Sequence, residues 1–571
     1  MMNEDQIDLL NTKIRQEDNQ LINEQTPLIS KHFHDINIDN KSVICIIKKI
    51  YQRVLGQSIL FSLLPSILLG SIIWFGTTPT DELTLTSIRL LAVFTSCIFA
   101  LITTSVDTSV LVLSALVLLS LTSSFQCRTI DSSRSIECRL CGELDPVTGT
   151  LLNCQGHNQA FYQSLEGFSS SVVWLIFAAF HLGKAVEVTK LGKRISLLMI
   201  RSFGKRVLGL AYAILLSELL LAPFVPSNTA RGGGIILPIV NSIAISFNSS
   251  PLQNPKVNEF LILVGAHANL LSASAYLTGM APNPIVLAKA NMLYPNLHFD
   301  FMKWITGSCV PVFVCAILSP LLLSWSCGIF KMDKDNQLEG GSSLESNEDD
   351  NITLHAFKEL EEMGPLSLKE WQLCIVLCIC LALWITSSHT GIDTTLVALL
   401  GITVLLYLGT MTWKDVTNNI NAWETLFWLG GFITMASQLS ESGASRFLGL
   451  QISQTIEYFK LPAVPSLAIA YFFTTFMFSS LSAHTVAFVA TFFDAGHALE
   501  ANPMILTCLL AYFGALGGCM TTFSTGSFTM YFASGYVSRK KWFIVGIQMA
   551  IFYLTIYFTI GMGWWKILAW Y

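Results

Sequence analysis

Charge is what this sequence has least of. Only 12% of its 571 residues are Asp, Glu, Lys or Arg, against 52% hydrophobic. A soluble domain carries about 25% charged residues, and no solvated surface can be built from half that supply. The mean hydropathy is +0.56, and apolar runs long enough to cross a ~30 Å hydrocarbon layer recur along the chain. These features identify an all-α polytopic membrane protein. Other absences narrow the function. Basic residues sit at span ends and do not interleave with aromatics on a solvated face, so no nucleic-acid partner is expected. Residues 1–40 are polar and acidic without a cleavable leader, so the first span is expected to act as the signal. The polar segments inside the spans hold no paired carboxylates, metal cluster or activated nucleophile. No enzyme, metal or cofactor is therefore implied.

Most of the 14 cysteines stand singly in apolar spans as small hydrophobic fillers. Four share one polar loop: Cys127, Cys138, Cys141 and Cys154. A zinc knot wants two tight pairs, and only Cys138 and Cys141 form a CxxC. Two disulfides in a lumenal loop at 125–168 are the expectation, with a metal or unpaired thiols as alternatives and the pairing open.

A window of about 19 residues gives spans near 54–76, 87–104, 106–124 and 169–187. A long apolar block follows at 207–247, then 258–295 and 305–328. An acidic Gly/Ser-rich segment at 331–367 reads as a flexible linker. Beyond it lie 370–390, 392–410, 423–440, a second long block at 463–500, then 503–535 and 541–565. The basic segments 48–53, 184–206 and 538–541 share one face if residues 1–45 form a disordered cytosolic tail and both long blocks are hairpins. The cysteine loop and the C-terminus then face the lumen or exterior, and the linker faces the cytosol.

The stretches 46–330 and 368–571 repeat one pattern. WLIFAAFHLGKAVEVTKLGKRI (174–195) and LFWLGGFITMASQLSESGASRF (426–447) each run from an apolar span into an amphipathic stretch, then into a long block with a polar centre. An odd number of crossings separates the halves, so the second is inverted. Inverted repeats with broken helices at the midplane mark secondary transporters. The polar centres, at 226–234 and 478–486, align Ser227-Asn228-Thr229-Ala230-Arg231 with Ser480-Leu481-Ser482-Ala483-His484. A helix interrupted by small and polar residues follows each, at 272–284 and 518–529. Hydroxyls, an amide and unpaired helix-end N–H groups suit a small anion. No acidic residue lies in either tip, so a cationic substrate is not expected. An anion with two carboxylates, one for each tip, is the simplest ligand.

The run PSNTARGGGIILPIVNS, its second-half partner and STGSFTMYFASGYV (524–537) resemble the divalent anion/sodium symporter family over about 45–570. The nearest likeness is to plastid 2-oxoglutarate/malate translocators and bacterial citrate or tartrate/succinate antiporters. The resemblance implies eleven spans plus two re-entrant hairpins, a homodimer through a scaffold domain, and an elevator movement of a transport domain. It also implies a substrate site between two Ser-Asn-Thr tips. Ser227, Asn228 and Thr229 match the first tip residue for residue. At the second, Leu481 stands where sodium-coupled members have asparagine, and Ser482 replaces threonine. A leucine side chain cannot ligate sodium. Arg231 and His484 are equivalent in the repeat, and as fixed positive charges they are expected to stand where sodium ions would sit.

The expected substrate contacts are Ser227, Asn228, Thr229, Ser480, Ser482, Thr278, Asn283, Pro284, Ser524 and Thr525. The last five lie at helix breaks, where they could instead satisfy freed carbonyls. Glu218, Asp107 and Glu424 lie in or near spans, where local pairing is favoured over a proton relay. Trp304, Trp542 and the C-terminal tryptophans read as interface belts. In the tail, Glu24 before Leu28-Ile29 and Asp5 before Leu9-Leu10 fit the acidic dileucine pattern read by clathrin adaptor complexes. An endosomal, lysosomal or vacuolar membrane is therefore favoured, with the plasma membrane next. The sequons at Asn248 and Asn351 fall on the cytosolic face, where glycosylation is not expected. The reading is a sodium-independent exchanger of malate, succinate or 2-oxoglutarate. Its alternatives are a sodium-coupled di/tricarboxylate or sulfate symporter, using sodium as coupling ion, and an anion-binding membrane sensor.

Overall fold

The computed structural model describes residues 59–80, 83–104, 106–129, 135–144, 149, 151–204, 206–246, 255–329 and 356–571. The dileucine patterns in the tail, the sequons and most of the linker lie outside the described residues. The chain divides into Met1–Pro65 and Ser66–Tyr571. Of the first unit only Ile59–Pro65 is described.

In hydrocarbon a backbone N–H or C=O must find its partner within its own segment, so apolar runs become helices. Among the described residues, six helices are long and apolar enough alone to cross a bilayer, and shorter apolar helices stand among them. In chain order these are α1 (Ile59–Gly76), α2 (Leu85–Thr103) and α3 (Thr108–Leu121). After the short loop helix α4 (Gly156–Ser164) comes α5 (Ser171–Val188). An amphipathic arm, α6 (Leu191–Phe203), leads into the first hairpin, α7 (Val207–Leu221) and α8 (Leu237–Ser246). Next come the broken span α9 (Pro255–Ala275) and α10 (Asn283–Leu293), then α11 (Phe301–Cys327).

The second half repeats the order from α2 onward. It comprises α12 (Leu368–Ile385), α13 (Thr394–Tyr407), α14 (Ile420–Glu441) and the arm α15 (Ala444–Tyr458). The second hairpin is α16 (Ala463–Thr474) and α17 (Leu481–Ala498). The broken span α18 (Pro503–Leu516) with α19 (Gly526–Ala533) follows, then α20 (Arg539–Ile556), which runs through a π turn into α21 (Met562–Ile567). Repeat-related helices pack on each other, α5 on α14 and α9 on α18. This is an integral, multi-pass membrane fold with two hairpins.

Polar caps set where spans begin. Asp107 accepts from Ser109 N at 2.8 Å to start α3, and Asp393 does the same for Thr395 N at the start of α13. Asp107 is thus a cap rather than a relay, and Glu424 is exposed on α14. The described end of the linker is held rather than loose. Arg194 on α6 donates to Glu370 at 2.6 Å and to Gly364 O at 2.9 Å. The tryptophans correct the belt expectation. Trp304, Trp542 and Trp565 are fully buried. Trp304 Nε1 donates to Ser274 O at 3.0 Å and Trp542 Nε1 to Thr521 O at 3.1 Å. These carbonyls are freed where the broken helices part, so each half uses an indole N–H to close its own break.

The loop after α3 forms a small hairpin, β1 (Gln126–Arg128) against β2 (Ser135–Glu137), with disulfides Cys127–Cys138 and Cys141–Cys154. It docks on α14 through Gln126 N to Gln438 Oε1 at 2.8 Å and Gly167 N to Thr434 Oγ1 at 3.0 Å. A Cβ on Gly167 would meet Gly430 O and Thr434 N. Both are helix backbone and cannot swing aside, so Gly167→Ala is expected to cost roughly 1–3 kcal/mol. Thermal denaturation in detergent measures it. Replacing all four loop cysteines with serine is expected to cost about 2–5 kcal/mol per bridge under oxidising conditions. The same melt with and without reductant checks this, since reductant should lower only the parent protein.

Candidate functional site

The first hairpin turns at Pro226–Asn228 and re-enters through a π turn at Thr229–Ile236 before α8. Ser227 Oγ accepts from Ala230 N at 3.1 Å, and Asn228 Oδ1 from Thr229 N at 3.1 Å, so the tip caps its own returning arm. Asn228 Nδ2 donates to Thr525 Oγ1 at 2.9 Å. Residues 297 positions apart are thereby joined across the two repeats.

Behind the tip lies a fully buried ion pair, Arg231 Nε to Glu218 Oε2 at 2.7 Å. The remaining guanidinium N–H groups go to Val225 O, Gly279 O at 3.0 Å, Asn269 O at 3.5 Å and Ser272 Oγ at 3.0 Å. An arginine has five N–H donors, and all five are spent. Glu218 also accepts from Ser272 Oγ at 3.0 Å and from Asn269 Nδ2 at 3.2 Å. Gly232 is required here, because a Cβ would come to 2.6 Å from Asn269 Nδ2. Arg231, expected as a fixed positive charge, is balanced by Glu218, since a lone buried guanidinium would be costly.

Asn269 and Ser527 complete the network. Asn269 donates to Asn228 O at 3.0 Å and accepts from Ser527 Oγ at 2.8 Å. Sequence reasoning missed Asn269, Ser272 and Ser527. The one available signal was polar residues standing in otherwise apolar helices.

The second tip is built differently. Ser480 caps α17, accepting from Ala483 N at 3.4 Å, and Ser482 is half-buried. Leu481 packs toward Gly518 and approaches the position its Cβ would take to 2.9 Å. His484 is fully buried, 3.0 Å from Thr474 Oγ1, with the Tyr471 ring centroid at 4.5 Å and Phe478 at 5.4 Å. The 253-residue step from Ser227 to Ser480 also takes Glu218 to Tyr471 and Arg231 to His484. The buried ion pair of one half is therefore an aromatic pair in the other.

At the breaks, side-chain donors satisfy freed carbonyls. Thr278 Oγ1 donates to Pro223 O at 2.8 Å and Ser524 Oγ to Gly518 O at 2.6 Å. Asn283 Nδ2 donates to Ala273 O at 2.8 Å and Tyr276 O at 2.9 Å. Pro284 occupies the first turn of α10. Thr278, Asn283 and Ser524 are buried, line neither tip cavity and spend their donors on the backbone, so they are not placed for the anion contact expected of them.

The two tips line separate cavities. The first, about 250 Å³, is walled by Ser227 and Ala230, by Lys184 and Glu187 of α5, and by Asn419 and Asn421 before and in α14. The second, about 200 Å³, holds Ser480 and Ser482 with Leu101, Thr108, Trp428 and Phe432. The α2–α3 connection, the end of α5 and the start of α14 wall these cavities, so both tips open toward the same end of α14. Near the other end of α14, Lys289 on α10 donates to Ser440 at 2.8 Å and lies 3.5 Å from Asp494 on α17.

Comparison with known proteins agrees with this architecture. Residues 57–571 match the family described as sodium:sulfate symporter transmembrane region. An uncharacterized transporter of Haemophilus influenzae is 34% identical over 412 residues, covering 71% of this chain and 81% of that protein. The citrate/succinate antiporter of Escherichia coli K12 is 32% identical, covering 72% and 81%. Dicarboxylate transporter 2, chloroplastic, of Spinacia oleracea is 32% identical, covering 71% and 70%. With nearly the whole chain matched, this protein belongs to the divalent anion/sodium symporter family, a family of membrane transporters and not of enzymes.

Proposed function

We propose that this protein is a sodium-independent exchanger of small dicarboxylates of the malate, succinate and 2-oxoglutarate class. One observation carries the reading. Behind the first tip, oxygens of Glu218, Val225, Gly279, Asn269 and Ser272 converge on a single point, and the Arg231 guanidinium fills it. Converging oxygens demand a cation, and a tethered guanidinium that never deprotonates meets the demand permanently. A dissociable sodium ion could drive transport down its gradient, whereas a tethered cation cannot. At the second tip Leu481 offers no ligand at all.

Exchange is the mode that the name of the E. coli relative carries, and we extend it to this chain. The names carried by the E. coli and spinach relatives point to the same substrate class. We extend the reading to a homodimer moving its hairpins by an elevator step. We extend it further to an endosomal, lysosomal or vacuolar membrane reached through adaptor recognition of Glu24, Leu28 and Ile29 or of Asp5, Leu9 and Leu10.

The test is uptake of labelled succinate into proteoliposomes. Vesicles loaded with malate are expected to accumulate label and empty vesicles are not. Equal uptake into both would overturn exchange.

A further inference from the structure

A carrier of dianions works against charge unless something cationic meets the substrate. The two basic residues beside the tips do not. All five Arg231 donors are spent within the buried cluster, and His484 is enclosed by aromatic rings. Neither lines a tip cavity. Among the described residues that line these two cavities, Lys184 is the one cation.

Lys184 lies in the last turns of α5, in the same cavity as Ser227, Asn419 and Asn421. Its Nζ is 2.7 Å from Glu187 Oε1, three residues on, and the Glu187 side chain is 61% exposed. A pair so exposed is weakly held, and an incoming carboxylate can displace it. The inverted repeat supplies no counterpart. Aligning 174–195 with 426–447 sets Lys184 against Ala436 and Glu187 against Leu439.

We propose that Lys184 is a substrate-binding cation that acts from the cytosolic side only. It exchanges Glu187 for one carboxylate of a dicarboxylate whose other carboxylate rests on the Ser227–Thr229 tip. Glu187 is its competitor and tunes cytosolic affinity downward. The proposal rests on the dicarboxylate reading and adds to it an asymmetry between the two faces.

Right-side-out and inside-out membrane vesicles from the same expressing cells separate the faces, with labelled succinate exchanged against malate. Lys184→Gln is expected to raise the cytosolic KM about tenfold, the loss of one charge-assisted contact, and to leave the lumenal KM unchanged. Glu187→Gln is expected to lower the cytosolic KM by about threefold, since its neutral amide competes less well for the ammonium. Lys184→Arg should restore near-parental behaviour, which a merely structural defect would not. If Lys184→Gln shifts both faces equally, or neither, while the parent protein exchanges succinate, the Lys184 proposal is overturned and the dicarboxylate reading stands. If the parent exchanges succinate from neither face, that reading falls and the proposal with it.

Discussion

Replacing Glu218 with glutamine is expected to destabilise the protein by about 3–5 kcal/mol, the cost of stranding a buried charge. Arg231 has no route to water, since both side chains are 0% exposed. Its other four donors face neutral oxygens, which orient a guanidinium but do not balance it. Arg231→Ala should cost as much by the converse route, leaving Glu218 buried and carbonyls of the hairpin and the first break without donors. The double replacement Glu218→Leu with Arg231→Met is expected to be less harmful than either single change, because it removes both charges together. Melting temperature in detergent for the parent, Glu218→Leu, Arg231→Met and the double replacement forms the cycle. Additive losses would mean that the two residues do not act as a pair.

The second large effect concerns transport. Asn228→Ala is expected to lower succinate exchange by about 10- to 100-fold, the worth of a hydrogen bond to a charged group. Stability should fall by only about 1 kcal/mol, as for loss of an N-cap. Asn228 is half-buried beside the cavity-lining Ser227 and donates to Thr525 in the other repeat, so its amide positions both sides of the site. Thr525→Val removes the acceptor while keeping the shape, and should reproduce most of the transport loss. Exchange assays beside melting curves separate the two quantities. A variant with full activity would place the anion elsewhere.

The spans were legible because hydrocarbon admits so few backbone solutions. Apolar runs, basic ends and a polar centre in each long block give helices, sides and hairpins without tertiary information. The first tip was equally plain, since Ser-Asn-Thr followed by Arg has no reason to stand in lipid. Partnership was not legible. Glu218 lies 13 residues before Arg231, on the opposite arm of the hairpin, and no local spacing announces such a contact. The same holds for Asn269, whose partners come from both repeats. Sequence symmetry also overstated equivalence, since Arg231 and His484 align but one sits among oxygens and the other among rings. The tryptophans failed for a different reason. Aromatic residues near span ends suit an interface belt, but these N–H groups were needed at the helix breaks inside.

The most direct measurement is the initial rate of succinate–malate exchange in proteoliposomes as sodium is raised from none, with potassium replacing it at constant ionic strength. If Arg231 permanently occupies the position that a coupling cation would take, the rate should not change at any sodium concentration. A rate that climbs with sodium and saturates would show a dissociable cation site, and would contradict the assignment of that role to Arg231.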